Sequence, residues 1–146
     1  MKTIFIIICI IGIVIGTIYF IKNKYEEEEL KTIKTDMLLI EGKIKIIAEK
    51  VRIKEKNATF IGKKINELEE NDEIQSLEEK KVIDLNEKNN QYYILEKAHL
   101  EELGLSSIEL KEGFYIVDYN NSEVIYSKGI ADEEGNVRYK LSELIK

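Results

Sequence analysis

Residues 4–21 read IFIIICIIGIVIGTIYFI, an apolar stretch interrupted only by Gly12, Gly16 and Thr17 and by no charged residue. At about 1.5 Å of rise per residue they form a helix of roughly 27 Å, close to the ~30 Å hydrocarbon core of a bilayer. A cleaved secretory signal has a shorter apolar core and small residues at its cleavage site, with Gly16 or Thr17 as the only candidates here. The sequence therefore predicts an uncleaved, single-pass signal anchor, with residues 1–24 as the transmembrane segment and the lipid bilayer as a partner.

The charges flanking this stretch leave its orientation open. Lys2 precedes the stretch, whereas four lysines follow it within a few turns: Lys22, Lys24, Lys31 and Lys34. The positive-inside rule therefore favours a cytoplasmic C-terminal side. The four acids at residues 26–29 count for little in that rule.

Composition bounds the part that follows the anchor. The chain has 146 residues and a net charge of −6, with lysine and glutamate interspersed. About 120 residues remain after the anchor, enough for one small domain. No basic face indicates nucleic acid as a partner. The single cysteine, Cys9, lies inside the anchor, which excludes a disulfide framework and a thiol-based metal site.

From residue 25 the apolar pattern becomes one-sided. Side chains at spacings of three and four define the candidate spine or partner face: Leu30, Ile33, Met37, Ile40, Ile44, Ile47 and Val51. Residues 37–40 and 44–48 broaden this stripe, so we expect one helix from the bilayer to about residue 54. The stripe is either the spine of the chain's own domain or a coiled-coil seam with a second chain. It holds about three heptads with Gly42 among them, which favours the spine.

The rest of the chain predicts short elements. Residues 54–64 are polar and form a loop, and residues 65–90 hold a second helix near 72–83, capped by Asn71 or Asp72, and a further loop. Residues 91–146 are strand-rich. The predicted strands lie at 92–95, 114–119, 123–126 and 137–141, and residues 129–132 extend or restart a strand. Residues 120–122 form a hairpin turn. Residues 97–103 and 142–145 form helical turns.

Together these elements predict an α+β fold, with a membrane anchor at residues 1–24 and a soluble domain at residues 25–146. The long N-terminal helix, with its spine at residues 25–54, packs on a small antiparallel sheet of three or four strands.

This order of elements resembles type IV pilins and type II secretion pseudopilins. Four C-terminal strings resemble small pilin-like proteins of low-G+C Gram-positive bacteria: YYIL at 92–95, LEELGL at 100–105, GFYIVDY at 113–119 and EVIY at 123–126. The resemblance implies a pilin-like fold, other pilin-like subunits as partners and a C-terminal domain outside the cytoplasm. It implies a structural or accessory role in a type IV pilus or type II secretion-like system.

The chain also departs from that family. Pilins are processed at a glycine directly before the apolar helix and usually carry a glutamate at the fifth position of the mature chain. Here Thr3 precedes the apolar run, and the first acidic residue is Glu26. The departure implies a relative that stays in the membrane or joins an assembly as a minor subunit.

No catalytic pattern stands out. His99 lies near Glu101 and Glu102, but a lone histidine on a short helix is usually a surface or packing residue. Calcium-loop spacing and a glycine-rich phosphate loop are also missing. We therefore expect no enzymatic activity, no cofactor, no metal and no small-molecule substrate. The alternative to a pilin-like protein is a membrane-tethered cytoplasmic module that forms a homo-oligomer through the helix at residues 30–51.

Overall fold

The computed structural model describes residues 2–68, 71–87, 91–132 and 134–145, and the side chains of residues 2–10 and 67 lie outside that description. The fold is α+β, with a long N-terminal helix and a five-stranded antiparallel sheet. The chain divides into two compact units, Met1–Ile33 and Lys34–Lys146. The described part of the first unit is helical throughout, and the sheet belongs to the second.

The helices are α1 (Lys2–Arg52), α2 (Asp72–Glu79), α3 (Lys97–Glu102) and α4 (Leu141–Leu144), with a 3₁₀ turn at Ile65–Glu67. The strands are β1 (Lys63–Lys64), β2 (Tyr92–Leu95), β3 (Tyr115–Asp118), β4 (Glu123–Ala131) and β5 (Val137–Lys140). The end of α1 lies two residues before the predicted one.

The predicted membrane anchor falls partly outside the description. Among the described residues, no helix is both sufficiently long and sufficiently apolar to cross a bilayer. The side chains of residues 4–10 are not among those described.

The sheet is a meander in which each strand pairs with its neighbours in sequence order. Its fifth strand corrects the prediction of three or four strands. Lys63 and Lys64, in the predicted loop, pair with Ile94 and Tyr93 of β2 and form the edge strand β1. Two exposed lysines have no strand pattern of their own, so this strand exists because β2 offers them an edge.

The predicted hairpin is present, with different strand lengths. β3 begins at Tyr115, one residue later than expected, and the amide of Phe114 donates instead to the Ser127 hydroxyl at 2.9 Å. β4 continues to Ala131. The extension includes a register shift between Ile125 and Ile130, where Gly129 has a φ of +68°. A glycine at that bulge avoids the strain that a Cβ creates at positive φ.

Helix α2 is shorter than predicted and its cap is Asn71. The Asn71 side chain accepts from the amides of Glu73 at 2.9 Å and Ile74 at 3.2 Å. The helix ends at Glu79, and Val82 and Ile83 then enter the core as an irregular segment.

The two faces of the sheet pack against different helices. Ile94, Ile116 and Ile125 form one cluster with Ile74 and Leu77 of α2. Neighbouring residues of a strand point to opposite faces, so Tyr115 and Val117 face away from that cluster. The Tyr115 hydroxyl donates to the Asp36 carboxylate at 3.3 Å, which places α1 on this second face.

Candidate functional site

The candidate spine face of α1 lies partly inside the core of the second unit. Met37, Ile40 and Ile44 are fully buried, with 0% exposure, whereas Ile47 and Val51 are half-buried. Leu30 and Ile33 are also half-buried and belong to the first unit. The three central side chains are enclosed by the chain's own domain and are inaccessible to a second chain.

Polar contacts between described residues help to hold α1 to the rest of the second unit. Tyr115 reaches Asp36, and the Lys34 ammonium donates to the carbonyl of Leu144 at 2.7 Å. Burial raises the pKa of the Asp36 carboxyl, and the hydrogen bond from Tyr115 partly offsets this increase. Burial first, and then the charge of Asp36, raises the pKa of Tyr115 strongly. The Tyr115 hydroxyl therefore stays protonated and acts as the donor.

The opposite face of α1 carries apolar side chains that face solvent. Leu38 and Leu39 are 43% and 47% exposed, Ile46 is 56% exposed, and Ile53, directly after the helix, is 62% exposed. The prediction that residues 37–40 and 44–48 broaden the buried stripe is therefore wrong for Leu38, Leu39 and Ile46. The seven-residue spacing of 39, 46 and 53 does not distinguish them, because the spine face has the same spacing at 30, 37, 44 and 51.

His99 has a structural position. The backbone amide of Glu96 donates to its Nδ1 at 3.0 Å and closes a capping box at the start of α3. The geometry assigns this imidazole nitrogen to the helix end, where it satisfies an amide that has no partner within the helix. The expected absence of enzymatic activity stays a prediction.

A polar groove of about 390 Å³ lies beside the β3–β4 hairpin, and its lining includes Lys81, Asp84, Tyr92, Asp118 and Glu123. Burial is the main cause that raises the pKa of Tyr92. Asp118 accepts from the amides of Gln91 and Asn120, both at 3.1 Å, and from the side chain of Asn121 at 2.6 Å. The Asp118 carboxylate therefore accepts hydrogen bonds that stabilise the turn after β3 and the segment before β2.

Cation chemistry has no support among the side chains described. In the described stretches, His, Cys, Asp and Glu side chains do not come together in any group of three or more that could hold a metal ion.

Comparison with protein-family models, with curated proteins and with solved structures finds no match for this chain.

Proposed function

We propose that this chain is a single-pass membrane protein whose C-terminal domain lies outside the cytoplasm. There it serves as a pilin-like or pseudopilin-like structural or accessory subunit of a type IV pilus or type II secretion-like system. The anchor restricts the domain to the membrane surface, and the sheet domain supplies the contact surfaces.

One observation carries the proposal. The 51-residue helix α1 begins with the apolar stretch, and farther along it Met37, Ile40 and Ile44 are buried in a small antiparallel-sheet domain. The first part of this helix is apolar on all sides, which suits the interior of a bilayer. The later part is apolar mainly on one face, which suits packing against a protein core. The missing processing glycine and glutamate favour an accessory role over the filament core.

Site-directed labelling tests the orientation. Cys9→Ser removes the native thiol, and Ser106→Cys places a new one at an exposed position of the sheet domain. We expect a membrane-impermeant maleimide to label Ser106→Cys on intact cells. The control, Lys2→Cys, should react only after the cells are permeabilised.

The reverse labelling pattern would contradict the proposal. It would support the cytoplasmic module, the orientation that the lysines after the anchor favour. Assignment to a pilus or secretion system needs a further observation, since labelling reports orientation alone. A gene for a prepilin peptidase or an assembly ATPase beside this gene would supply it.

A further inference from the structure

The solvent face of α1 in the second unit is not covered by the sheet domain. Four of the large, strongly exposed apolar side chains among the described residues of this unit lie there: Leu38, Leu39, Ile46 and Ile53. Each helical residue advances by about 100°, which places them opposite the buried Met37, Ile40 and Ile44. The Ile53 amide still donates to the Glu49 carbonyl at 3.0 Å, so Ile53 continues the helical path.

Three of these side chains repeat at the spacing of one position of a coiled-coil heptad. Leu39, Ile46 and Ile53 are seven residues apart and occupy one heptad position, the a position. Gly42 and Glu49 occupy the d position between them and Thr35 occupies it before Leu39, so the apolar repeat is confined to position a. A Cβ built on Gly42 meets no atom within 4 Å, so a partner can approach the helix closely there.

The charges beside the seam identify the kind of partner. The e and g positions, which set partner choice in coiled coils, are occupied between residues 43 and 52 by four cations: Lys43, Lys45, Lys50 and Arg52. Two copies anchored in one membrane would pair in parallel and place Lys45 against Lys50 of the second copy. Glu49 would also face Glu49. Like charges at these positions disfavour a second copy.

We propose that this face, residues 38–53, is a docking seam for an amphipathic helix of a different protein, with acidic side chains flanking its apolar stripe. Acids at the partner's e and g positions meet the four cations, and its apolar side chains cover Leu39, Ile46 and Ile53. Lys45, Lys50 and Arg52 have local partners in Glu41, Glu55 and Glu49. The side chains of the last two pairs are at least 47% exposed, whereas Glu41 is 24% exposed. Exposed ion pairs are weak and exchange readily.

The seam deepens the proposed function by naming the chemistry of a partner subunit, although the contact itself does not depend on the orientation of the chain. Its test therefore uses the purified full-length chain in detergent micelles. Failure of binding leaves the labelling result untouched, and reversed labelling leaves the binding result untouched.

Two fluorescent three-heptad peptides serve as probes, both with leucine at positions a and d. One carries glutamate at every e and g position, and the other carries lysine there. We expect fluorescence anisotropy to give at least about tenfold tighter binding for the glutamate peptide. Ile46→Ser and the double variant Lys43→Glu/Lys50→Glu should each weaken its binding by about tenfold. The matched control Ile145→Ser removes a 50% exposed isoleucine elsewhere and should leave binding unchanged.

Three results would overturn the proposal. The first is equal affinity for the two peptides, which would indicate nonspecific apolar adhesion. The second is no saturable binding of the glutamate peptide by a chain whose circular dichroism shows the folded state. The third is a crosslinked homodimer that Ile46→Ser abolishes, because a second copy would then be the occupant.

Discussion

Tyr115 and Asp36 form a polar link across the interface between α1 and β3. Tyr115 is 2% exposed, so its ring packs in the core while its hydroxyl reaches the carboxylate. The raised pKa of Asp36 means that burial disfavours the ionised form, and the hydrogen bond from Tyr115 limits this cost.

Tyr115→Phe should lower the free energy of unfolding by about 1 kcal/mol at neutral pH, because the carboxylate loses its donor while the ring is retained. The pKa of Asp36 in the folded state lies above the unfolded value of 3.8. The contribution of Asp36 to the free energy of unfolding is therefore fully present below pH 3.8 and is lost as the pH rises through the folded-state pKa. Losing the hydroxyl raises the folded pKa further, so the substitution should cost more at neutral than at acid pH.

Urea unfolding, followed by circular dichroism at both pH values, measures this difference. In an Asp36→Asn background, which has no carboxyl to titrate, the cost of Tyr115→Phe should be the same at both. Equal costs in the unmodified background would show that the link contributes nothing through charge.

Tyr119 makes the fold sensitive to alkali. Its hydroxyl donates to the Ile61 carbonyl at 2.8 Å and accepts from the Ile61 amide at 3.1 Å. Burial raises its pKa from 10.0 to about 12. Between the pKa of 10.0 in the unfolded state and the pKa of about 12 in the folded state, the folded protein keeps a proton that the unfolded chain loses. The free energy of unfolding therefore falls by about 2 kcal/mol as the pH rises through this range.

Urea titrations across the alkaline range check this expectation. Tyr119→Phe should make the decline shallower, leaving the part that Tyr115 causes. Tyr25→Phe, at a 72% exposed position, is the control and should leave the decline unchanged. The same decline in all three proteins would rule out a role for Tyr119.

At the scale of elements, the two faces of α1 respond differently to substitution. Ile40→Ala removes a fully buried side chain and should cost about 2–4 kcal/mol. Ile46→Ala, on the exposed face, should change stability by less than about 0.5 kcal/mol. Thermal unfolding compares them. A folded and equally stable Ile40→Ala domain would instead support the alternative in which residues 30–51 form a seam between two chains.

Two glycines form a second matched pair. Gly42 lies inside α1 in open space, so Gly42→Ala should raise stability by about 0.5–1 kcal/mol through helix propensity. Gly62 has a φ of +126°, and a Cβ there would lie 2.8 Å from Tyr93 Cβ and 3.0 Å from the Ile94 carbonyl. Gly62→Ala should therefore cost roughly 2 kcal/mol. Chemical denaturation reports both signs, and a loss at Gly42 would contradict the open surface found there.

For the whole molecule, the apolar stretch determines where the protein resides in the proposed function. The double variant Ile11→Arg/Ile15→Arg should move the chain from the membrane fraction to the soluble fraction, since each arginine costs about 2.5–3.5 kcal/mol at the centre of a membrane helix. Leu39→Arg, beyond the predicted anchor on the same helix, is the control and should stay with the membrane. Retention of the double variant after carbonate extraction would count against the anchor.

Much of the fold could be predicted from local sequence signals. The periodicity at Met37, Ile40 and Ile44 indicated the buried face, and residues 120–122 indicated the β3–β4 turn. β1 could not be predicted, because its pairing depends on a strand about 30 residues away. The solvent-exposed seam was missed because Leu38, Leu39 and Ile46 are as apolar as the buried side chains next to them.

The sequence by itself determined the long helix, the approximate position of its carboxyl end and the strands near 92–95, 114–119, 123–126 and 137–141, because each depends on residues within a few positions of one another. Only the tertiary structure decided which apolar side chains of α1 are buried, which hydroxyl meets Asp36 and how many strands the sheet has. The physical reason is that burial and strand pairing are contacts between distant segments, and hydrophobicity alone does not say which segment will cover a given face.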